Sequence, residues 1–228
     1  MKASEIFSLP TSLAEFAPHF LPDAAPWEWV PKIKEALDQM ELAASRTDTP
    51  HTVHIDRNVF LHPSVILPQS CTIQGPAWIG ANTEIRPGAF LRGNVIVGEG
   101  CVLGNACEFK NCLLMDHVQV PHFNYVGDSI LGNGSHMAAG VIVSNLRLDQ
   151  RNVRIRFPNG EIFETGLRKL GALIGDHAEV GCNAVLQPGT IIGRRSFVHP
   201  LSAFGGVLPA ESIAVPRGRG FEVRSRGI

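Results

Sequence analysis

A large apolar residue occupies every sixth position along much of the chain. The unbroken series is Ile55, Leu61, Leu67, Ile73, Ile79, Ile85, Leu91, Val97, Leu103, Phe109 and Met115. A small or β-branched residue stands four positions after most of its members, as at Val59, Ala77 and Thr83. A period of six fits neither the 3.6-residue period of an α-helix nor the alternation of a single strand, so it indicates a repeat architecture.

Each six-residue unit predicts one short strand followed by a corner, and three units close a triangular coil of about eighteen residues. The large residue fills the interior of the coil, and the smaller residue fits where the chain bends inward. Glycine follows the large residue at Ile79-Gly80, Val97-Gly98 and Leu103-Gly104, where a corner requires a positive φ or a close backbone approach. The pattern therefore predicts an all-β fold, a left-handed parallel β-helix of hexapeptide repeats.

The repeat is interrupted in three places. It slips by one residue between Met115 and Val120, and again between Val126 and Leu131. It stops over residues 144–173 and then resumes. The regular units that remain correspond to about seven coils.

The rest of the chain divides around this repeat. Residues 1–54 lack the period and are expected to form an N-terminal helical arm. Residues 55–208 are expected to form the β-helix with its insertion, and residues 209–228 a tail rich in glycine and arginine. The apolar stripe of the arm needs a partner surface, which is the solenoid, a neighbouring subunit or another protein. The residues of that stripe are Val30, Ile33, Leu37 and Met40.

The insertion at residues 144–173 is polar and carries a cluster of cations: Arg147, Arg151, Arg154, Arg156, Arg168 and Lys169. Its middle predicts a β-hairpin, with strands at 153–157 and 161–165 joined by an Asn159-Gly160 turn. An insertion of this length on a solenoid is expected to project from one corner and to act as a functional loop.

Composition narrows the function classes. The chain has 20 Lys and Arg against 21 Asp and Glu, a formal net charge of −1, so no general attraction to nucleic acid is expected. No apolar run is long enough to span a membrane and residues 1–13 hold no signal-type stretch, so a cytoplasmic location is expected. Cys71, Cys101 and Cys107 stand at inward positions, and without a CxxC pair neither a metal nor a disulfide is expected.

A polar tract in the middle of the solenoid carries the candidate chemistry. It comprises Glu108-Phe-Lys110, His122-Phe-Asn-Tyr125-Val-Gly-Asp128, Ala139-Gly140 and Asn145. The tract resembles the C-terminal acetyltransferase domain of the bifunctional N-acetylglucosamine-1-phosphate uridylyltransferase/glucosamine-1-phosphate acetyltransferases. The Asn145-Leu-Arg loop and residues 165–172 look most like the sugar-1-phosphate nucleotidylyltransferase branch of that group. The similarity covers roughly residues 55–215.

This resemblance implies an acetyl-CoA-dependent N-acetyltransferase that acts on an amino-sugar 1-phosphate, with each site formed between subunits of a homotrimer. His122 would be the general base on the substrate amine, a task suited to an imidazole near neutral pH. The backbone N–H of Ala139 would approach the thioester or its oxyanion. The residues implied to bind the acceptor are Arg86 and Lys110 at its phosphate, and Tyr125, Asn145 and His136 at the sugar.

The same resemblance implies that acetyl-CoA lies along the later coils and that no metal is needed. The positions implied to contact the coenzyme are Arg151, Arg154, Lys169, Cys182 and Pro200. Three positions depart from the family: His136 replaces an asparagine of many members, Leu146 a tyrosine and Cys182 a serine. Nothing in residues 1–54 resembles the Gly-rich loop of the nucleotidyltransferase domain, so the chain is not expected to form nucleotide sugars by itself.

Two other functions remain open. A solenoid of this kind could bind a sugar phosphate without catalysis, as a regulatory or scaffold protein, and the residues at His136 and Leu146 favour that alternative. His117 and His122 also share the H-x4-H spacing of γ-class carbonic anhydrases, which hold a metal with three histidines on the same fold. The third histidine should lie about two coils, or roughly 36 residues, upstream of His117, where Ala81 stands. Each candidate residue also has a structural interpretation, as an exposed cation, a packed tyrosine or a capping asparagine.

Overall fold

The computed structural model describes residues 1–40, 50, 52–217 and 220–225. Short 3-10 helices span Ala3–Glu5, Thr11–Phe16 and Pro26–Glu28, and the α-helix α1 spans Trp29–Asp38. The strands before the insertion are β1 (Val53–Ile55), β2 (Val59–Leu61), β3 (Cys71–Gln74), β4 (Ala77–Ile79), β5 (Glu84–Ile85), β6 (Phe90–Arg92), β7 (Val95–Val97), β8 (Val102–Asn105), β9 (Glu108–Leu114), β10 (Gln119–His122), β11 (Tyr125–Leu131), β12 (His136–Met137) and β13 (Ile142–Val143). The later strands are β14 (Arg154–Arg156), β15 (Ile162–Glu164), β16 (Ala172–Ile174), β17 (Glu179–Val180), β18 (Val185–Leu186), β19 (Thr190–Ile192), β20 (Phe197–Val198), β21 (Ala203–Phe204), β22 (Val207–Leu208), β23 (Ser212–Arg217) and β24 (Gly220–Ser225).

The strands stack into the three flat faces of a triangular solenoid. Face A contains β1, β3, β6, the first halves of β9 and β11, β13, β18 and β21. Face B contains β2, β4, β7, the second halves of β9 and β11, β16, β19 and β22, and face C contains β5, β8, β10, β12, β17, β20 and β23. Each edge is named for the two faces that it joins. Stacked strands pair in parallel, which confirms the predicted left-handed parallel β-helix.

The interior of the solenoid follows the six-residue series with one correction. Met115, predicted to be an interior residue, faces outward, and Leu114 occupies the interior position that pairs with Val97. The first slip therefore falls between Phe109 and Leu114, and its predicted position after Met115 is wrong. At that coil the A–B edge is formed by a single residue with a left-handed backbone, Asn111 (φ 48°), whereas two such residues form the same edge one coil earlier.

The second predicted slip, between Val126 and Leu131, is confirmed. Both side chains are buried in the interior, and Asp128 (φ 50°) is the single residue that turns the A–B edge. The inward cysteines fill the same interior, where burial raises the pKa of the Cys71 thiol to about 11 and that of Cys101 to about 12. These thiols act as small apolar side chains.

Glycines that follow the large residues permit coils to approach closely. A Cβ on Gly80 would lie 2.5 Å from the carbonyl oxygen of Gly98, and a Cβ on Gly104 would lie 2.0 Å from the carbonyl carbon of Pro121. The sequence allowed two reasons for glycine after a large residue, a positive φ or a close approach of two backbones. Close approach is the reason at these positions. Positive φ values at the edges belong to other residues, such as Asn82 and Asn94.

The N-terminal arm covers face B of its own chain. The predicted apolar stripe is confirmed for Val30, Ile33 and Leu37, which are buried in α1, whereas Met40 lies two residues beyond the helix and is partly buried. A buried carboxylate, that of Asp176, also accepts a hydrogen bond from the Ser8 N–H at 3.0 Å and fastens the arm to the B–C edge. The outward residues of face B that the arm buries include Ile96, Leu113, Met115 and Ile130.

The insertion folds back onto this covered face. The predicted hairpin is confirmed, since β14 pairs with β15 in antiparallel fashion. Val153 and Ile155 are fully buried in the same apolar cluster as the arm, and the Phe163 ring lies 4.8 Å from the ring of Trp27. The insertion leaves the solenoid at one corner, the A–B edge, as predicted, but it then packs back: one side of the hairpin is buried against the arm, and the other borders a cleft.

The repeat continues past the expected boundary at residue 208. Strand β23 pairs in parallel with β20, and β24 returns beside it in antiparallel fashion. Within the described residues, eight strands stack on face A, more than the predicted seven coils. Residues 218–219 and 226–228 of the expected tail lie outside the described residues. In the ranges that the structure covers, no helix is long and apolar enough to cross a membrane.

Replacement of Ile33 by alanine should weaken the attachment of the arm. The side chain is fully buried against face B, so we expect the free energy of unfolding to fall by about 2–5 kcal/mol, measured by urea denaturation. The control is Lys32→Ala on the exposed side of α1, which should leave the midpoint near that of the wild type. Equal losses in the two variants would contradict the packing described.

Candidate active site

Four of the expected site residues, His122, Ala139, Cys182 and Pro200, form a column along the C–A edge. The carbonyl oxygens of the first three each accept an N–H from the following coil, at 3.0, 2.9 and 2.9 Å, and Pro200 lies one coil further on. The side chains of His122 and Cys182 are exposed. Within the described residues the N–H of Ala139 has no acceptor, so this donor remains available to a ligand on the edge.

A polar cluster occupies face A beside the A–B edge. The Nδ2 atom of Asn145 lies 3.1 Å from the hydroxyl oxygen of Tyr125 and 2.5 Å from Oδ2 of Asp128. The Nζ atom of Lys110 lies 3.6 Å from the same carboxylate oxygen. The parallel stacking of β9, β11 and β13 thus brings together three of the expected substrate residues, although the sequence separates Lys110 from Asn145 by two coils.

Gly127 makes room for Tyr125 on this face. The side chain of Val126 points into the interior, so positions 125 and 127 on either side of it face outward. A Cβ on Gly127 would lie 2.5 Å from the Tyr125 hydroxyl oxygen and 2.8 Å from Nδ2 of Asn145. The phenol therefore lies along the strand only because residue 127 has no side chain.

Asp128 connects the members of the cluster. Its residue is only 5% exposed, and its carboxylate accepts hydrogen bonds from the side chains of Asn111 at 2.8 Å and of Asn145. Burial, and secondly the charge of Asp128, raise the pKa of Tyr125 above its ordinary value. The phenol is thus a neutral hydrogen-bond donor at physiological pH. The sequence motif included Asp128, but no role followed from the motif alone.

Arg86 lies apart from this cluster, on the C–A edge of an earlier coil. Its guanidinium makes two hydrogen bonds to the carboxylate of Glu84, at 3.0 and 3.2 Å. The cation nearest to Lys110 along face A is Arg92, which ends the adjacent strand β6 and pairs with Glu108. The resemblance indicated Arg86 as a phosphate ligand and did not indicate Arg92. The repeat itself indicates Arg92, because this residue stands one coil, about eighteen residues, before Lys110.

His136 stands on face C, in register with Gln119 and Glu179. A side chain on face C cannot reach the cluster on face A of the same chain, because the two faces diverge from their common edge. His117 and His122 lie at opposite ends of β10, so their side chains leave the coil at different edges. Among the described residues, no group of three or more His, Cys, Asp or Glu side chains is placed to hold a metal.

The expected coenzyme cations of the insertion have different surroundings. Arg154 pairs across the hairpin with Glu164, at 2.7 Å between Nε and Oε1. Arg151 is exposed near the start of the hairpin, and Lys169 is exposed where the chain pairs with Leu146 on its return to the solenoid. All three cations lie on the A–B side of the solenoid, away from the column on the C–A edge.

A cleft of about 910 Å³ separates the insertion from the last coils of face A. Its walls include Leu146, Arg147, Arg154 and Arg156, and its floor includes Val185 and Gln187. The Arg147 guanidinium pairs with the neighbouring carboxylate and holds the pKa of Asp149 well below its usual range. The sequence identified the cations of this insertion, but only the folded hairpin turns some of them toward face A.

A solenoid with these edges defines a hexapeptide-repeat protein of the acyltransferase type, and comparisons with known proteins agree. A family model described as the GMPPB C-terminal domain matches residues 73–157. A bifunctional sugar-1-phosphate nucleotidylyltransferase/acetyltransferase of Sulfurisphaera tokodaii is 31% identical over 186 residues, which are 82% of this chain and 46% of that protein. YaiX of Escherichia coli O6:K15:H31, described as an uncharacterized acetyltransferase, is 32% identical over 163 residues, covering 64% of this chain and 69% of that one.

This chain belongs to the hexapeptide-repeat acetyltransferase family that includes the C-terminal regions of the bifunctional sugar-1-phosphate nucleotidylyltransferase/acetyltransferases. It spans less than half the length of the bifunctional relatives that it matches. Among solved structures, LpxA from Acinetobacter baumannii matches with a TM-score of 0.41 and 17% identity, over 77% of this chain and 73% of that one. The similarity to the Sulfurisphaera tokodaii protein and to YaiX confirms the resemblance drawn from the polar tract.

Gly127→Ala should displace the ring of Tyr125 toward solvent and lower its pKa, since burial is the main cause of the raised value. The chain contains one tyrosine, so absorbance of the phenolate during an alkaline titration reports this residue alone. Gln119→Ala on face C is the control and should leave the titration unchanged. An unaltered titration in Gly127→Ala would contradict the described position of the ring.

Proposed function

We propose that this protein is an acetyl-CoA-dependent N-acetyltransferase whose acceptor is an amino-sugar 1-phosphate. The observation that carries the proposal is the position of the exposed His122 on the C–A edge, next to a face that holds Lys110, Tyr125 and Asn145. The base stands at one edge of face A, and the cation with its hydrogen-bonding groups stands toward the other edge, about 10 Å away along one short strand. An amino-sugar phosphate bound on that face would lie between them.

In this proposal each group of the cluster binds one part of the acceptor. Lys110 contacts the phosphate, and its pairing with Asp128 at 3.6 Å keeps the ammonium group on the face. Tyr125 donates its hydroxyl hydrogen to the sugar, and Oδ1 of Asn145 accepts a hydrogen bond from a sugar hydroxyl. The contact between the two side chains restricts both before the acceptor arrives. Arg86 remains a candidate phosphate ligand from the resemblance. Arg86 lies on another edge, whereas Arg92 stands beside Lys110 on face A, so Arg92 is the better candidate.

The proposed chemistry is acyl transfer with general-base assistance. Acetyl-CoA supplies the acyl group as a thioester. His122 accepts a proton from the amine while the nitrogen attacks the thioester carbonyl; the C–N bond forms, the C–S bond breaks, and the sulfur receives the proton from His122. The free N–H of Ala139 donates to the carbonyl oxygen as that oxygen gains negative charge.

The C–A edge offers a track for the coenzyme. Ala139, Cys182 and Pro200 present small side chains on successive coils, and an extended chain can follow them along the solenoid. The expected phosphate ligands Arg151, Arg154 and Lys169 lie near the other edge of face A. They would contact a coenzyme on the C–A edge only if they came from a neighbouring subunit. The position of His136 on face C leads to the same requirement, so the homotrimer is part of the proposal.

His122→Ala should lower kcat by about 10²–10⁴-fold, because general-base assistance is typically worth that factor. Thiol release from acetyl-CoA with glucosamine 1-phosphate and galactosamine 1-phosphate is the assay. His117→Ala, at the other end of β10, is the matched control and should retain activity. Full kcat in His122→Ala would contradict the mechanism. Binding of these acceptors without turnover by the wild type would favour the non-catalytic alternative.

Subunits that carry His122→Ala and subunits that carry His136→Ala should complement each other. Each variant alone lacks one side of every shared site, whereas mixed trimers contain some sites with both histidines intact. Differently tagged chains, refolded together and purified by both tags, should therefore show more activity than either variant alone. Light scattering that gives the mass of one chain would contradict the shared site.

A further inference from the structure

We propose that the cleft beside the insertion binds a nucleoside diphosphate group of the acceptor, so that the substrate is a nucleotide-linked amino sugar. This inference rests on the proposed function and specifies its substrate class. The cleft adjoins the acceptor cluster on face A, because Ile142 pairs with Tyr125 of the cluster on one side and with Val185 of the cleft on the other. A ligand can therefore extend from the cluster into the cleft without crossing another element.

The direction of the acceptor leads into this cleft. Its amine must lie at His122 on the C–A edge, so its phosphate lies toward Lys110 and Asp128, where the chain turns the A–B edge. The insertion begins at the same edge, one coil beyond Asp128. Any group attached to that phosphate would leave the sugar site on this side and enter the space beneath the hairpin.

The cations of the cleft suit a diphosphate. Arg147 and Arg154 are held by the carboxylates of Asp149 and Glu164, which fixes their direction and offsets part of their charge. Arg156 lines the cleft as well, and among the described residues no acidic side chain pairs with it. Its planar guanidinium can donate two parallel hydrogen bonds to a phosphate. Arg156 is therefore the residue to which the diphosphate binds most directly.

The remaining walls of the cleft suit a nucleoside. Leu146, Ile162 and Val185 present apolar side chains to the cleft, and those of Ile162 and Val185 are 49% and 40% exposed. The floor ends at Gly205 and Gly206, against which the Gln187 side chain and the Arg156 carbonyl oxygen pack closely. A volume of about 910 Å³ is within the range of small-molecule sites and exceeds the needs of a phosphate alone.

The position of the cleft favours the acceptor over the coenzyme as its occupant. The coenzyme also carries a diphosphate, but the column that suits it follows the C–A edge, whereas the cleft lies at the A–B edge of the same face. The cleft is therefore on the wrong side of face A for a coenzyme bound by the same chain. Arg154, which lines the cleft, is also the residue proposed above to contact the coenzyme of a neighbouring subunit. The kinetic experiment must nevertheless separate the two sources of a diphosphate.

Calorimetric titration of the whole protein with UDP, GDP and dTDP, without acetyl-CoA, tests the cleft directly. We expect at least one of the three to bind, and Arg156→Ala to weaken that binding about tenfold, the value of one charge-assisted contact. Arg57→Ala is the matched control, because Arg57 is an exposed arginine on the A–B edge of the first coil and far from the cleft. Absence of binding by all three diphosphates, or equal affinity in Arg156→Ala, overturns the proposal.

Steady-state kinetics distinguish the source of the diphosphate. With UDP-, GDP- and dTDP-linked amino sugars as acceptors, Arg156→Ala should raise the acceptor KM about tenfold, and the KM for acetyl-CoA should rise less. A rise confined to the acetyl-CoA KM assigns the cleft to the coenzyme and overturns the proposal. Acetylation of glucosamine 1-phosphate but of none of the nucleotide-linked sugars overturns this inference and leaves the proposed function standing. If neither class of acceptor is acetylated, the proposed function fails, and the calorimetric result still decides whether the cleft binds a nucleoside diphosphate.

Discussion

Hydrogen bonds between successive coils determine where every outward side chain of this protein lies. Because neighbouring strands pair in parallel and in register, a residue stands directly above its counterpart one coil earlier. The column on the C–A edge and the cluster on face A are consequences of that stacking. The stacking also explains the effect of a shorter edge. The A–B edge contains a single left-handed residue at Asn111 and again at Asp128, and the side chains of these two residues form a hydrogen bond beside Lys110.

The arm decides which faces of the solenoid remain available. Face B presents a continuous apolar surface, and burial of such a surface is the main stabilising contribution available to a protein of this size. The arm and one side of the hairpin provide that burial within the chain, and the carboxylate of Asp176 fastens the arm at Ser8. Ligands and other subunits are therefore left with faces A and C. The candidate acceptor site lies on the first of these, and His136 on the second.

The insertion has two sides with different physical roles. Val153 and Ile155 anchor it in the apolar cluster, while Arg154 and Arg156, which alternate with them along β14, turn toward the cleft. Because neighbouring residues of a strand face opposite sides, this one segment packs its apolar residues against the covered face and presents its arginines to the cleft. A change that loosens the arm is expected to move the hairpin, because Trp27 and Phe163 are in contact.

The sequence by itself determined the class of fold, the inserted hairpin, the apolar stripe of α1 and the family, because a six-residue period and a motif of spaced polar residues are local patterns. It also supplied His122, Ala139, Lys110, Tyr125 and Asn145 as site candidates. Tertiary structure decided what depends on the length of an edge or on packing between distant segments. The displacement of Met115 by Leu114, the buried carboxylate of Asp128 and the position of Arg92 beside Lys110 each follow from register, which a residue's own neighbours in sequence do not specify. The cleft is a further example, since it exists only where the hairpin, held down by the arm, stands over face A.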